Sequence, residues 1–341
     1  MKLSLFAKAF PRALDESKCL FFSALVVFCS CVFSVQAQEG IPLRVAGPPG
    51  ANKGICFREL FEHPDQWKDA RSNIDMLLYA GQHFSPGKGG QFTDDELKPW
   101  FAQMQQWGLK LELEVGAVKE WGPTGDKTFA AEHPAWDRIL GLGAPFASIA
   151  MDEPLSCTRR LLKQPDDYAV QETANFIAKV RKNYPQVRVG EIEPYPSIPW
   201  EDHPKWIAAL QKKLADMNVR GLDFYRLDVD WVTFDIRNKG SWNEVKKIED
   251  YCKSVKLPFS LIYWASGFSY FQKLNVGDDS TWYVRVMSQG YAYASVKGRP
   301  DQYCIESWVG APAHSVPDSD MNAYMRSARD FFPKFAKPSS P

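Results

Sequence analysis

An excess of charge of either sign is missing from this chain. Its 341 residues carry 41 Lys and Arg against 41 Asp and Glu, a formal net charge of 0 with no long run of one sign. Neither a phosphate-neutralising strip nor a polybasic membrane patch is present, so no nucleic-acid partner is expected. Cysteine is sparse, seven in all, and no two are spaced Cys-x-x-Cys, which argues against a zinc framework. No His-x-His follows an early strand and no Gly-rich phosphate cradle precedes a helix. There is no Cys-x-x-x-Cys-x-x-Cys and no Gly-x-Ser-x-Gly elbow. These absences leave carboxylates and aromatic rings as the abundant functional groups, and their chemistry needs neither metal nor cofactor.

The amino terminus reads as an export leader. Lys2, Lys8, Arg12 and Lys18 precede an apolar run from Cys19 to Val35, and Val35-Gln36-Ala37 offers small residues where a signal peptidase cuts, after Ala37. An uncleaved anchor is the alternative, since the run approaches the shortest spanning length. After cleavage the chain is secreted or periplasmic, has no membrane segment and is expected to be a monomer. Cys56, Cys157, Cys252 and Cys304 then remain. In an exporting compartment they allow two disulfides in any of three connectivities, and the sequence does not choose.

Residues 38–341 alternate between short apolar runs and helical patterns. Strands are predicted at Leu43 to Gly47, Ile74 to Ala80, Leu109 to Val118, Phe146 to Met151, Val187 to Ile192, Gly221 to Asp228, Phe259 to Trp264 and Tyr303 to Trp308. Thr93 to Glu96 has the pattern of a capping box, and helices are predicted at Tyr168 to Tyr184, Pro204 to Met217, Trp242 to Ser254 and Asp318 to Phe332. Eight strand-helix units at a period of roughly 35 to 45 residues indicate a single-domain α/β fold, the (β/α)8 TIM barrel.

In such a barrel the carboxyl ends of all strands open on one rim, where chemistry is done. The strand ends here carry His83, Glu114 and Trp121, Asp152 and Glu153, Glu191, Glu193 and Tyr195. They continue with Tyr225, Asp228, Asp230 and Trp231, then Tyr263 and Trp264, then Glu306, Trp308 and His314. Sugars suit this set: a pyranose stacks its apolar face on aromatic rings and bonds its hydroxyls to carboxylates. Cleaving a glycosidic bond needs one carboxylic acid to protonate the leaving oxygen and one carboxylate to attack or to activate water. Candidate catalytic residues are therefore Glu153, Asp152, Glu306, Glu193, Asp228 and Asp230. Candidate substrate-binding residues are His83, Trp121, Tyr195, Tyr225, Trp231, Trp264 and Trp308. Asp228 and Asp230 share strand parity with Arg226, so an inward salt-bridge network is their alternative role, and Glu191 is equally a structural partner. Glu193, before Pro194 and past the apolar run, is placed at the rim.

Met151-Asp152-Glu153-Pro154 resembles the Asn-Glu-Pro motif that ends the fourth strand in the largest barrel clan of glycoside hydrolases. That resemblance implies that Glu153 is the acid/base. Two departures stand beside it: Asp152 replaces the Asn that binds the 2-hydroxyl, and the seventh strand ends in Tyr263-Trp264 without a nucleophilic Glu. The Asp-Glu couplet is also similar to that of hexosaminidases, where the Asp orients an N-acetyl group. The α-galactosidase type places its acids on the fourth and sixth strands, here Asp152 and Asp228 or Asp230. The expected activity is hydrolysis of a polysaccharide or oligosaccharide. The rivals are a non-catalytic carbohydrate-binding barrel and a metal-assisted hydrolase built on Asp228, Asp230 and Glu193.

Overall fold

Short runs of Val, Ile, Leu and Ala bounded by turn residues suit strands covered on both faces, which is what a parallel sheet demands. In the computed structural model, which describes residues 42–230, 233, 239–265 and 278–337, these runs form eight parallel strands closed into a barrel. They are β1 (Leu43–Gly47), β2 (Met76–Ala80), β3 (Lys110–Val115), β4 (Phe146–Asp152), β5 (Arg188–Tyr195), β6 (Phe224–Val229), β7 (Phe259–Tyr263) and β8 (Gln302–Glu306). Closure comes from β1 pairing with β8, Leu43 beside Gln302 through Gly47 beside Glu306. The strands are followed in turn by α1 (Ile55–Glu62), α2 (Asp94–Gln106), α3 (Gly125–Gly141), α4 (Asp166–Asn183), α5 (Asp202–Asp216), α6 (Trp242–Ser254), α7 (Asp279–Ser295) and α8 (Tyr324–Phe335). This is the (β/α)8 barrel that the alternation predicts. The expected leader, residues 1–37, lies outside the described residues, all of which fall within one compact unit, Glu39–Pro341. Among them no helix is long and apolar enough to cross a membrane.

Local signals account for the helix starts. The capping box at α2 forms as predicted: Thr93 accepts from the Glu96 amide, and Glu96 Oε2 accepts from the Thr93 amide at 2.7 Å. The last helix starts later than its pattern suggests, at Tyr324 rather than Asp318, because Asp318 is drawn into a tertiary contact. Its Oδ2 accepts from the Ala70 amide at 2.9 Å.

Strand alternation separates two interiors. Outward side chains such as Leu77, Leu111, Leu113, Val189, Leu227 and Leu261 pack with the helices into the larger core, where Trp67, Trp136 and Trp282 are fully buried. These three tryptophans therefore serve packing. Inward side chains Val45, Met76, Leu78, Ala150, Ile192, Phe224, Ile262 and Cys304 fill the barrel's lower lumen. Among them runs a buried polar layer. Arg226 donates to Glu112 Oε1 at 2.6 Å and to Ser260 Oγ at 2.9 Å, while Ser148 donates to Glu112 Oε2 at 2.5 Å.

The disulfides anticipated for Cys56, Cys157, Cys252 and Cys304 are not formed; all four are buried free thiols. They lie on separate elements with neighbours of their own. Cys56 on α1 faces the Ala313 carbonyl at 3.4 Å, Cys157 faces Glu120 at 3.5 Å, and Cys304 on β8 faces Glu306 at 3.8 Å.

Candidate active site

In a barrel of eight strands, alternate strands contribute side chains to a common layer. The last inward positions of the even-numbered strands are Ala80, Asp152, Asp228 and Glu306. Three acids and one small residue thus close the top of the lumen, with Glu114 of β3 beside them. Gly47 on β1 and Ala80 on β2 stand between β8 and β3 and leave room for Glu306 to hydrogen-bond Glu114. A Cβ on Gly47 would lie 3.0 Å from Glu306 Cγ. Burial and then the Asp152 charge push Glu114 up to about 7, and burial and Glu114 raise Glu306, so the two carboxyls share a proton.

Asp152 has its own counter-ion. Lys119, on the loop after β3, extends its ammonium to Asp152 Oδ2. Burial alone would weaken the Lys119 charge, but the charge and hydrogen bond of Asp152 outweigh it and hold the ammonium above the ordinary lysine value. Next in the chain, Glu153 turns off the strand in the left-handed region, φ 47° and ψ 50°. Its Oε2 accepts from Ser156 Oγ at 2.9 Å and lies 3.8 Å from Arg160 Nη1. Burial, then the adjacent Asp152, raises the Glu153 carboxyl above its ordinary value. Asp228 is raised further, by burial, then Glu153, Asp152 and Asp230, and its buried Oδ1 accepts no hydrogen bond. Asp152, Glu153 and Asp228 therefore feel one another's charge, one ion-paired and two inclined to hold protons.

Lys119, Trp121, Asp152, Glu153, Ser156 and Arg160 line an open pocket of about 290 Å³. Trp121 is presented by a tight turn in which Lys119 and Gly122 exchange backbone hydrogen bonds, both 3.0 Å. Its indole lies on Gly116, where a Cβ would come within 2.7 Å of the ring, and it remains 54% exposed. Trp264 and Trp308, at the ends of β7 and β8, form a second aromatic pair with ring centres 4.1 Å apart. His83, on the turn after β2, is half-buried 4.8 Å from the Tyr79 ring, and burial lowers it to about 4, so it is neutral.

Several candidates face elsewhere. β5 runs on through Tyr195 instead of ending at Ile192, so Glu191, Glu193 and Tyr195 all keep the outward parity. Glu193 is thus behind the sheet and not on the rim. The Tyr195 hydroxyl donates to Glu244 and accepts from the Ser241 amide, and Tyr225 is fully buried with its hydroxyl 2.6 Å from His203 Nδ1. Both tyrosines belong to the helix layer. Asp230 accepts from Thr233 on both oxygens, from its amide at 3.1 Å and from its hydroxyl at 2.5 Å. Glu306 faces inward but is buried against Glu114. His314 pairs with Glu59 at 2.6 Å. Trp231 lies outside the described residues. With Glu193 on the opposite face, the set Asp228, Asp230 and Glu193 cannot converge on an ion. Among the described residues no group of three metal-ligating side chains does.

Lys119 and Glu132 were not singled out by the sequence. Glu132, on α3, accepts from the Gly116 amide at 2.9 Å and is pushed up to about 7, chiefly by burial. Nothing local marks either residue, since both reach the mouth only through the fold.

No family model and no curated protein matches the chain. Solved structures do. A glucosidase from Croceicoccus marinus aligns at 11% identity over 87% of this chain and 67% of its own, TM-score 0.52. A psychrophilic glycoside hydrolase family 10 endo-beta-1,4-xylanase aligns at 11% identity over 85% and 97%, TM-score 0.50. QR15, an aldolase, aligns at 13% identity over 80% and 92%, TM-score 0.44. At such identities the likeness establishes a barrel fold shared with glycoside hydrolases, a fold that hosts many chemistries.

Proposed function

We propose that the chain is an exported glycoside hydrolase in which Glu153 donates the proton to the leaving oxygen and Asp152 is the paired anion. The observation that carries this reading is the pocket in which Asp152, bound to Lys119, and Glu153, its carboxyl raised by burial and by Asp152, stand beside the exposed Trp121. A general acid must keep its proton near working pH, and a neighbouring anion with its own counter-ion supplies that bias while remaining available for attack or for activating water. Trp121 supplies an apolar face for a pyranose ring. The chemistry is complete without a metal or cofactor. The glucosidase and the xylanase of the same fold are in keeping with this class. Export follows from the leader, residues 1–37.

The test is release of reducing sugar from cell-envelope and plant polysaccharides by the wild type and by Glu153→Gln. The variant should lose about 10²- to 10⁴-fold in kcat while still binding the sugar. Turnover equal to the wild type would remove Glu153 from the chemistry. Sugar binding with no turnover in either protein would instead identify a carbohydrate-binding barrel.

A further inference from the structure

Behind the sheet, Glu193 directs both carboxylate oxygens at successive amides, Leu155 N to Oε1 at 2.5 Å and Ser156 N to Oε2 at 3.0 Å. These amides open the short helical turn Pro154–Cys157 that follows Glu153. Amides at the start of a helical turn lack an intrahelical carbonyl, and a carboxylate is their strongest acceptor. Glu153 enters this turn in a left-handed conformation that a non-glycine residue keeps only where its surroundings over-determine it. The Glu153 amide is tied to the Ile192 carbonyl at 3.0 Å, and its carbonyl accepts from the Cys157 amide at 2.8 Å. Ser156, held by Glu193 through its amide, donates its hydroxyl to Glu153 Oε2 at 2.9 Å.

Glu193 is itself braced. It hydrogen-bonds Glu191, which accepts from Trp206 Nε1 at 2.6 Å and whose Oε2 receives no donor. Glu193 accepts amides on both oxygens, and its carboxyl is pushed well above the ordinary range by burial and then by Glu191. Burial raises both acids. Tyr225 and, behind it, His203 face the pair from β6 and α5, while Asp152, Lys119, Arg160 and Asp228 surround Glu153.

We propose that Glu193 is a positioning residue for the reaction at the mouth: from the helix side of the sheet it holds the Leu155 and Ser156 amides, and through the Ser156 hydroxyl it fixes where the Glu153 carboxyl points. The inference rests on Glu153 being the proton donor.

The full chain is compared with Glu193→Gln, Glu193→Asp and Ser156→Ala by two readouts. One is the titration of the Glu153 carboxyl by carbon-13 NMR, assigned by its loss in Glu153→Gln. The other is kcat and KM on a polysaccharide that the wild type cleaves. Glu193→Gln sets an amide NH2 against a backbone donor, Glu193→Asp shortens the reach, and Ser156→Ala removes the hydroxyl. All three should move the Glu153 titration upward by about half a pH unit or more, because the Ser156 bond favours the ionised form. Each should lower kcat about tenfold or more, with KM within about threefold. A downward shift in Glu193→Gln overturns the proposal. So does an unchanged titration, or an unchanged kcat, in a folded variant. If Glu193→Gln does not fold, Glu193→Asp and Ser156→Ala decide by the same criteria. Should the wild type cleave no glycoside, the hydrolase reading fails, and the NMR titration still decides whether Glu193 positions Glu153.

Discussion

Arg226 and Glu112 meet inside the barrel, Nη1 to Oε1 at 2.6 Å, with neither side chain more than 1% exposed. Two charges so deep stabilise little as a pair, because desolvation offsets most of their attraction, but removing one strands the other. Arg226→Met should therefore lower stability by about 3 to 5 kcal/mol in urea unfolding at pH 7. The double variant Arg226→Met with Glu112→Leu should recover most of the loss. A loss under about 1 kcal/mol in the single variant would show that the pair does not brace the lumen.

Glu114 and Glu132 are pushed up to about 7 and Glu191 to about 8, all chiefly by burial. Where a carboxyl's folded value lies above its unfolded value, the folded state binds more protons and stability falls with rising pH. The stabilising contribution is complete below the ordinary value of 4.5 and is lost as pH rises through about 7 to 8. Glu132→Gln keeps an acceptor for the Gly116 amide and removes one titrating group. It should gain about 1 to 3 kcal/mol at pH 8 relative to its change at pH 4.5, read from unfolding midpoints at both pH values. An equal effect at both pH values would mean that Glu132 titrates normally.

Lys119 opposes the protonation of Glu153 and pairs with Asp152. In Lys119→Met the Glu153 carboxyl should hold its proton to higher pH, so the basic limb of the rate profile moves up. The optimum rate should drop about 10²-fold as Asp152 loses its counter-ion. A basic limb that stays in place would separate Lys119 from the proton donor.

Much of the architecture was legible because it is written locally. The Leu-Glu-Leu-Glu alternation of β3 contains its own fold argument: leucines can face only the helix layer, so Glu112 and Glu114 must enter the lumen. Asp152 and Glu153 follow an apolar strand and precede a proline, and they sit at the mouth as that pattern implies. Parity fails where the strand end is misplaced. Ending β5 at Ile192 frees Glu193 for the rim, whereas pairing of Tyr195 with Val229 on β6 carries the strand onward and keeps Glu193 outward. Likewise Asp318 has the composition of a helix start but bonds to Ala70, far away in the chain.

From its residue order alone the protein was committed to eight strand-helix units and to a rim rich in acids and indoles, because periodicity and turn chemistry act over a few neighbours. Tertiary structure decided which acids meet. Glu306 reaches Glu114 only across Gly47 and Ala80, Lys119 reaches Asp152 from another loop, and Glu193 grips the turn after Glu153 from behind. Such convergence depends on barrel closure, strand register and low-dielectric burial, which couple residues distant in the chain and leave no mark on the segments that carry them.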